Sequence, residues 1–133
     1  MTVHAGRVLV VDDDPVNRAI LVGSLEAQEY SADVASDGRE ALRKLREERF
    51  DVVLLDLVMP VMDGFEVLRT MKEDERLRTL PVIVVSGLEE MESVVRCIEM
   101  GAADFLPKPF DPVLLRARLK SSLAAKRFQD VVD

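Results

Sequence analysis

Five short apolar runs alternating with five segments of helical period predict a three-layer α/β fold, a doubly wound parallel sheet built from (βα)5. The apolar runs VVLL (52–55) and VIVV (82–85) are continuous and not alternating, as expected for parallel strands covered on both faces. Right-handed crossovers between such strands place helices on both sides of the sheet. The 133 residues fit one domain, long enough to bury a core without disulfides or metal staples.

Each element has a local reason. Arg7–Val11 (RVLVV) is the first apolar run and stops at Asp12-Asp13-Asp14. Asp14 reads as an N-cap with Pro15 at the first helical position, so helix one runs to about Glu29, with Ile20, Leu21 and Leu25 on one face. Ser31–Ala35 is a weaker second strand, and Ser36-Asp37-Gly38 is a turn or cap before helix two, about Arg39 to Glu48, where Ala41, Leu42 and Leu45 fall at helical spacing. Asp51–Leu55 is the third strand and ends at Asp56. Pro60 and Gly64 shape the loop that follows, Asp63 caps helix three, and that helix runs from about Phe65 to Asp74. Pro81–Val85 is the fourth strand, ending at Ser86-Gly87, and Gly87 gives that loop conformational latitude. Helix four covers about Glu89 to Met100 with Gly101 as C-cap. Asp104–Leu106 is a short fifth strand, Pro107-Lys108-Pro109 breaks the chain, and helix five starts near Pro112.

Residues 1–6 read as an N-terminal tail, 7–124 as the domain, and 125–133 as a helical extension or linker. Leu115, Leu119 and Leu123 repeat at core spacing, and Phe128, Val131 and Val132 continue the stripe, which suits a dimer contact or a lead into an output domain beyond Asp133; a frayed tail is the plainer alternative.

Composition narrows the function. The chain is 48% hydrophobic and 32% charged, an ordinary globular balance. A net charge of −7 and a pI of about 4.8 argue against direct nucleic-acid binding, which requires a basic patch. The single cysteine, Cys97, excludes an internal disulfide and suits a reducing compartment. It lies among Val94, Val95 and Ile98, where a small hydrophobe is the simpler reading than a redox sensor. No apolar run approaches the roughly 20 residues of a membrane span, and the first residues lack the build of a signal peptide; the expected location is cytoplasmic. His4, the sole histidine, falls in the tail and is a poor metal ligand or base.

Polar residues follow the apolar runs at successive strand ends: Asp12 and Asp13 after the first, Asp56 after the third, Ser86 after the fourth, Lys108 after the fifth. In an open parallel sheet, ligands bind outside the carboxyl ends of the strands. Taken singly, each residue has a bland reading as a cap, a loop hydroxyl or a solvated lysine. Together they bring three carboxylates, a hydroxyl and an ammonium to one edge. Crowded carboxylates repel, and burial sharpens the repulsion. A hard divalent cation, Mg²⁺ or Mn²⁺, relieves both, since it takes carboxylates, waters and phosphate oxygens together. Lys108 would supply a second positive charge, and Asp56 is the natural nucleophile of an aspartyl-phosphate chemistry.

The segments VLVVDDDPVNR, VVLLDLVMPVMDG, PVIVVSG and GAADFLPKPF resemble the receiver domain of two-component response regulators over roughly Arg7 to Ala124. That resemblance implies a flavodoxin-like sheet of strand order 2-1-3-4-5. It implies that Asp56 is the phosphoacceptor, that Asp13 ligands Mg²⁺ directly and Asp12 through water, and that the backbone carbonyl of Val58 is a third protein ligand. Lys108 pairs with the phosphoryl group, Ser86 swings toward it after transfer, and Phe105 fills the aromatic switch position. Lys108-Pro109 is often cis in the family. The donor is a phosphohistidine on a histidine kinase or histidine phosphotransfer protein, and switching alters the surface of helix four, strand five and helix five, through which homodimers or output domains are engaged. Such a domain is a signalling switch and not a turnover enzyme. Val58 and Leu88 occupy the two positions that tune dephosphorylation; both are apolar and cannot orient an attacking water, so slow self-dephosphorylation is expected.

Other uses of a similar framework fit less well. A phosphatase of the haloacid dehalogenase type needs an Asp where Val58 stands. A flavodoxin needs a hydroxyl- and amide-rich loop where Asp12-Asp13-Asp14 would repel phosphate. A Walker loop, GxxxxGK[ST], is missing from the sequence. An unphosphorylated interaction module with the same fold typically lacks the acidic pair, the acceptor or the lysine, all present here. Asp13 and Asp56 pointing apart, or Lys108 remote from both, would end the phosphoacceptor reading.

Overall fold

The computed structural model describes residues 6–59, 61–87 and 90–132, with side chains to 125. His4, Pro60, Leu88 and the apolar side chains of Phe128, Val131 and Val132, all singled out in the sequence, lie outside the described residues or side chains. The element order is β1 (Arg7–Val11), α1 (Pro15–Ala27), β2 (Ser31–Ala35), α2 (Gly38–Glu47), β3 (Val52–Asp56), α3 (Gly64–Glu73), β4 (Val82–Ser86), α4 (Met91–Glu99), β5 (Asp104–Pro107) and α5 (Pro112–Val132). All pairings are parallel, and the sheet order is β2-β1-β3-β4-β5, as the resemblance implied.

The continuous apolar strands divide their side chains between two cores. Leu9, Val11, Val53, Leu55, Val82 and Val84 face α2, α3 and α4, where Leu42, Leu45, Val67, Leu68, Met71, Val94 and Cys97 meet them. Val8, Val10, Val52, Leu54, Ile83 and Val85 face α1 and α5, packing on Leu21, Leu25, Leu115, Leu119 and Leu123. This alternation is the strand's two-residue period with both faces covered.

Four of the helices are capped by aspartates: the side chains of Asp14, Asp37, Asp63 and Asp111 accept from the amides of Val16, Glu40, Glu66 and Val113. Helix α1 ends at Ala27 and not near Glu29, because Glu29 adopts a left-handed backbone, φ 70°, and the Tyr30 amide folds back onto the Leu25 carbonyl. Ile20 does not join Leu21 and Leu25 in the core; it is 52% exposed, one step around the helix from the buried seam. On α4, Val94 and Cys97 are buried while Val95 and Ile98 face out. Burial pushes the Cys97 thiol up to about 11, which fits a packed hydrophobe and not a reactive thiolate.

Candidate functional site

Strands β3 and β4 each run one residue further than the apolar pattern alone suggests, because Asp56 and Ser86 still pair in the sheet, opposite Val85 and Pro107. The ladder therefore fixes the backbone of both residues. Strand alternation puts Asp56 on the side of Val52 and Leu54, toward α1 and α5, and Ser86 on the side of Val82 and Val84, toward α4.

Asp12 follows β1. Its amide donates to the Ala35 carbonyl (3.1 Å), its carbonyl accepts from Arg18 Nη1 (2.8 Å), and its Oδ1 accepts from the Asp14 amide (2.9 Å). It is buried, whereas the neighbouring Asp13 is exposed. Carboxylate oxygens of Asp12, Asp13 and Asp56 all lie within 4.8 Å of one another. Lys108 Nζ donates to Asp56 Oδ1 at 3.2 Å, and the Val58 amide approaches the same oxygen at 3.4 Å. The Lys108 amide donates to the Ser86 carbonyl (2.8 Å), so the segment after β5 is tied to the end of β4. Lys108-Pro109 is a cis peptide. Gly64 closes the loop after Asp56: its amide donates to the Leu57 carbonyl, and a Cβ there would sit 2.6 Å from the Asp56 carbonyl oxygen.

The electrostatics are unbalanced. Burial raises the Asp56 carboxyl from 3.8 to about 6, with the charge of Asp12 adding to the rise and Lys108 opposing it. Burial works to lower the Lys108 ammonium, but Asp56, Asp12 and Glu90 together hold it above its ordinary value. Among the described residues, ion pairs reach Asp56 through Lys108 and none includes Asp12 or Asp13. An all-oxygen cluster with surplus negative charge, one ligand buried and one open to solvent, fits a hard divalent cation.

Ser86 is fully buried, and its hydroxyl does not face Asp56. It donates to Glu90 Oε2 at 2.8 Å, with a weaker contact to the Gly87 carbonyl at 3.3 Å. Phe105 is partly buried and packs against the α2–α4 core. Val58 is 64% exposed. Sequence reasoning missed Glu90, since a glutamate at the start of a helix ordinarily reads as a partner of the helix dipole; its position four residues after Ser86 was the available signal.

The response regulator receiver domain model matches residues 8–120. The chain is 40% identical over 129 residues to the response regulator PleD of Caulobacter vibrioides, covering 97% of this chain and 28% of that protein. It is 41% identical over 117 residues to the response regulator MprA of Mycolicibacterium vanbaalenii, covering 88% of this chain and 50% of that protein. It thus spans at most about half the length of these relatives. Among solved structures, a signal receiver domain of a signal transduction histidine kinase from Syntrophus aciditrophicus aligns with TM-score 0.83 at 39% identity, covering 90% of this chain and 91% of that one.

Proposed function

The chain belongs to the response regulator receiver domain family, and on that premise we propose that Asp56 is its phosphoacceptor. The observation that carries the reading is the convergence of Asp12, Asp13 and Asp56 oxygens within 4.8 Å, with Lys108 Nζ 3.2 Å from Asp56. Asp12, Asp13, Asp56 and the backbone carbonyl of Val58 are the groups that would hold Mg²⁺ or Mn²⁺. When bound, the ion neutralises these carboxylates and the equatorial oxygens of the transferring group.

The residues then divide the work. A carboxylate oxygen of Asp56 attacks phosphorus; the P–O bond forms as the P–N bond of a donor phosphohistidine breaks, and the imidazole leaves with the bonding pair. Lys108 pairs with a phosphoryl oxygen, its ammonium kept charged by Asp56. Ser86 donates its hydroxyl to another phosphoryl oxygen, and Phe105 moves into the space that the serine leaves. Val58 presents no polar side-chain atom to orient water, and with Leu88 this favours a long-lived aspartyl phosphate.

Receiver domains are signalling switches, and this one takes its phosphoryl group from a histidine kinase or histidine phosphotransfer protein, without multiple turnover of its own. The changed surface is that of α4, β5 and α5, available to a second copy or to an output domain following residue 133. A cytoplasmic setting accords with the lone, buried Cys97, and no helix among the described residues is long and apolar enough to cross a membrane.

Incubation with acetyl phosphate and Mg²⁺ should add one phosphoryl group, lost in Asp56→Asn and on chelation by EDTA. Full labelling of Asp56→Asn would refute the assignment.

A further inference from the structure

Glu90 occupies the N-cap position of α4, yet its side chain makes no capping bond. Its amide donates to the Gly87 carbonyl (3.1 Å), and its carboxylate turns back over the end of β4 to accept the Ser86 hydroxyl at 2.8 Å. The acceptor is charged, which makes this the strong class of hydrogen bond. It is also sheltered, since Ser86 is fully buried. Glu90 is thus a fourth carboxylate at this rim besides Asp12, Asp13 and Asp56, and its charge reaches Lys108 as well.

We infer that Glu90 is a positioning residue that latches the Ser86 hydroxyl away from Asp56 in the unphosphorylated protein, so that the first turn of α4 is tied to the phosphorylation site through one exchangeable hydrogen bond. One observation and one chemical constraint support it. Ser86 lies on the α4 side of the sheet and Asp56 on the α1–α5 side, so the hydroxyl reaches a group on Asp56 only by rotating around the strand end and leaving Glu90. A hydroxyl has one proton, which goes either to Glu90 Oε2 or to a phosphoryl oxygen. The released carboxylate then faces a more negative site and loses its anchor, which frees the α4 start to shift. No covalent bond changes in this step; one donor exchanges acceptors.

The inference rests on Asp56 as phosphoacceptor. Acetyl phosphate with Mg²⁺ serves as the probe, reading the initial rate and steady-state level of phosphorylation in wild type, Glu90→Ala, Ser86→Ala and the double variant, with thermal unfolding confirming that each is folded. Removing the latch should raise the rate and level about tenfold, the size expected for one charged hydrogen bond, and shift the amide resonances of the first turn of α4 in the unphosphorylated protein toward their phosphorylated positions. In the Ser86→Ala background the same substitution should change little. Equal gains with and without Ser86 would assign the effect to charge relief alone and overturn the latch, as would a wild-type response in Glu90→Ala. Failure of wild type itself to be labelled would instead strike the phosphoacceptor assignment.

Discussion

Two carboxylate clusters sit on the same sheet and behave in opposite ways. At the β2 edge, Asp33 accepts from the Val34 amide (2.8 Å) and from Lys44 Nζ (3.0 Å), with Arg7 at 3.9 Å; Lys44 also reaches Glu40 (3.6 Å), and Arg7 reaches Glu48 (2.6 Å). Burial would raise Asp33, but the amide, Lys44 and Arg7 outweigh it and hold the carboxyl below its usual range. At the carboxyl rim, Asp56 faces Asp12 and Asp13 with Lys108 as its ion-pair partner and is raised to about 6. The residue type is the same; the supply of positive charge differs. A closed network stabilises the fold, whereas a cation-deficient one is receptive to an ion and an incoming phosphoryl group.

Breaking the open cluster at the Lys108 ammonium should have the largest effect. Lys108→Ala is expected to lower the initial rate of acetyl phosphate labelling about 100-fold, the scale of losing a charge-stabilising donor, while Lys44→Ala leaves that rate unchanged.

The next effect is on stability and carries a sign. In metal-free protein, folded Asp56 binds a proton more tightly than the unfolded chain does, so stability falls as pH rises from about 4 through about 6. Asp56→Asn removes this slope and should be more stable than wild type by about 2 kcal/mol near neutral pH, with no gain near pH 4. Urea unfolding in EDTA at both pH values measures it. Asp33 behaves in reverse: its stabilisation is present above its unfolded value and is lost as pH falls through its lowered folded value.

Opening the closed network should cost less. Lys44→Ala is expected to destabilise by about 1 kcal/mol in urea unfolding, since Arg7 and the Val34 amide still hold Asp33, and the loss should shrink in about 1 M salt. The smallest effect concerns the loop leaving Asp56. Val61 is 73% exposed and holds φ 70°, a conformation a β-branched residue resists. Val61→Gly should raise stability by about 0.5–1 kcal/mol, read as a higher melting temperature. It would place backbone strain at the receptive rim, within five residues of Asp56.

Much of this was legible in the sequence, for physical reasons. Aspartates before helices cap them at Asp14, Asp37 and Asp63, and abrupt ends of apolar runs mark where the sheet delivers Asp12, Asp56, Ser86 and Lys108. What was hidden depends on three-dimensional direction. The apolar pattern could not say that Ile20 turns outward or that Glu29 and Val61 take left-handed backbones, since neither residue type favours one. Strand period alone puts Ser86 and Asp56 on opposite pleats, but only the path of the chain into α4 reveals the Glu90 carboxylate waiting there. Likewise the balanced charge around Asp33 arises from Arg7 and Lys44, distant in sequence and joined by the pairing of β1 with β2 and the packing of α2.

The difference between the clusters is tested most directly by titrating Mn²⁺ into the protein and following free ion by electron paramagnetic resonance. One site is expected in wild type, weakened at least about tenfold in Asp13→Asn and in Asp56→Asn, and unchanged in Asp33→Asn. Wild-type affinity in Asp13→Asn, or loss of the site in Asp33→Asn, would contradict the assignment of the open cluster as the cation site.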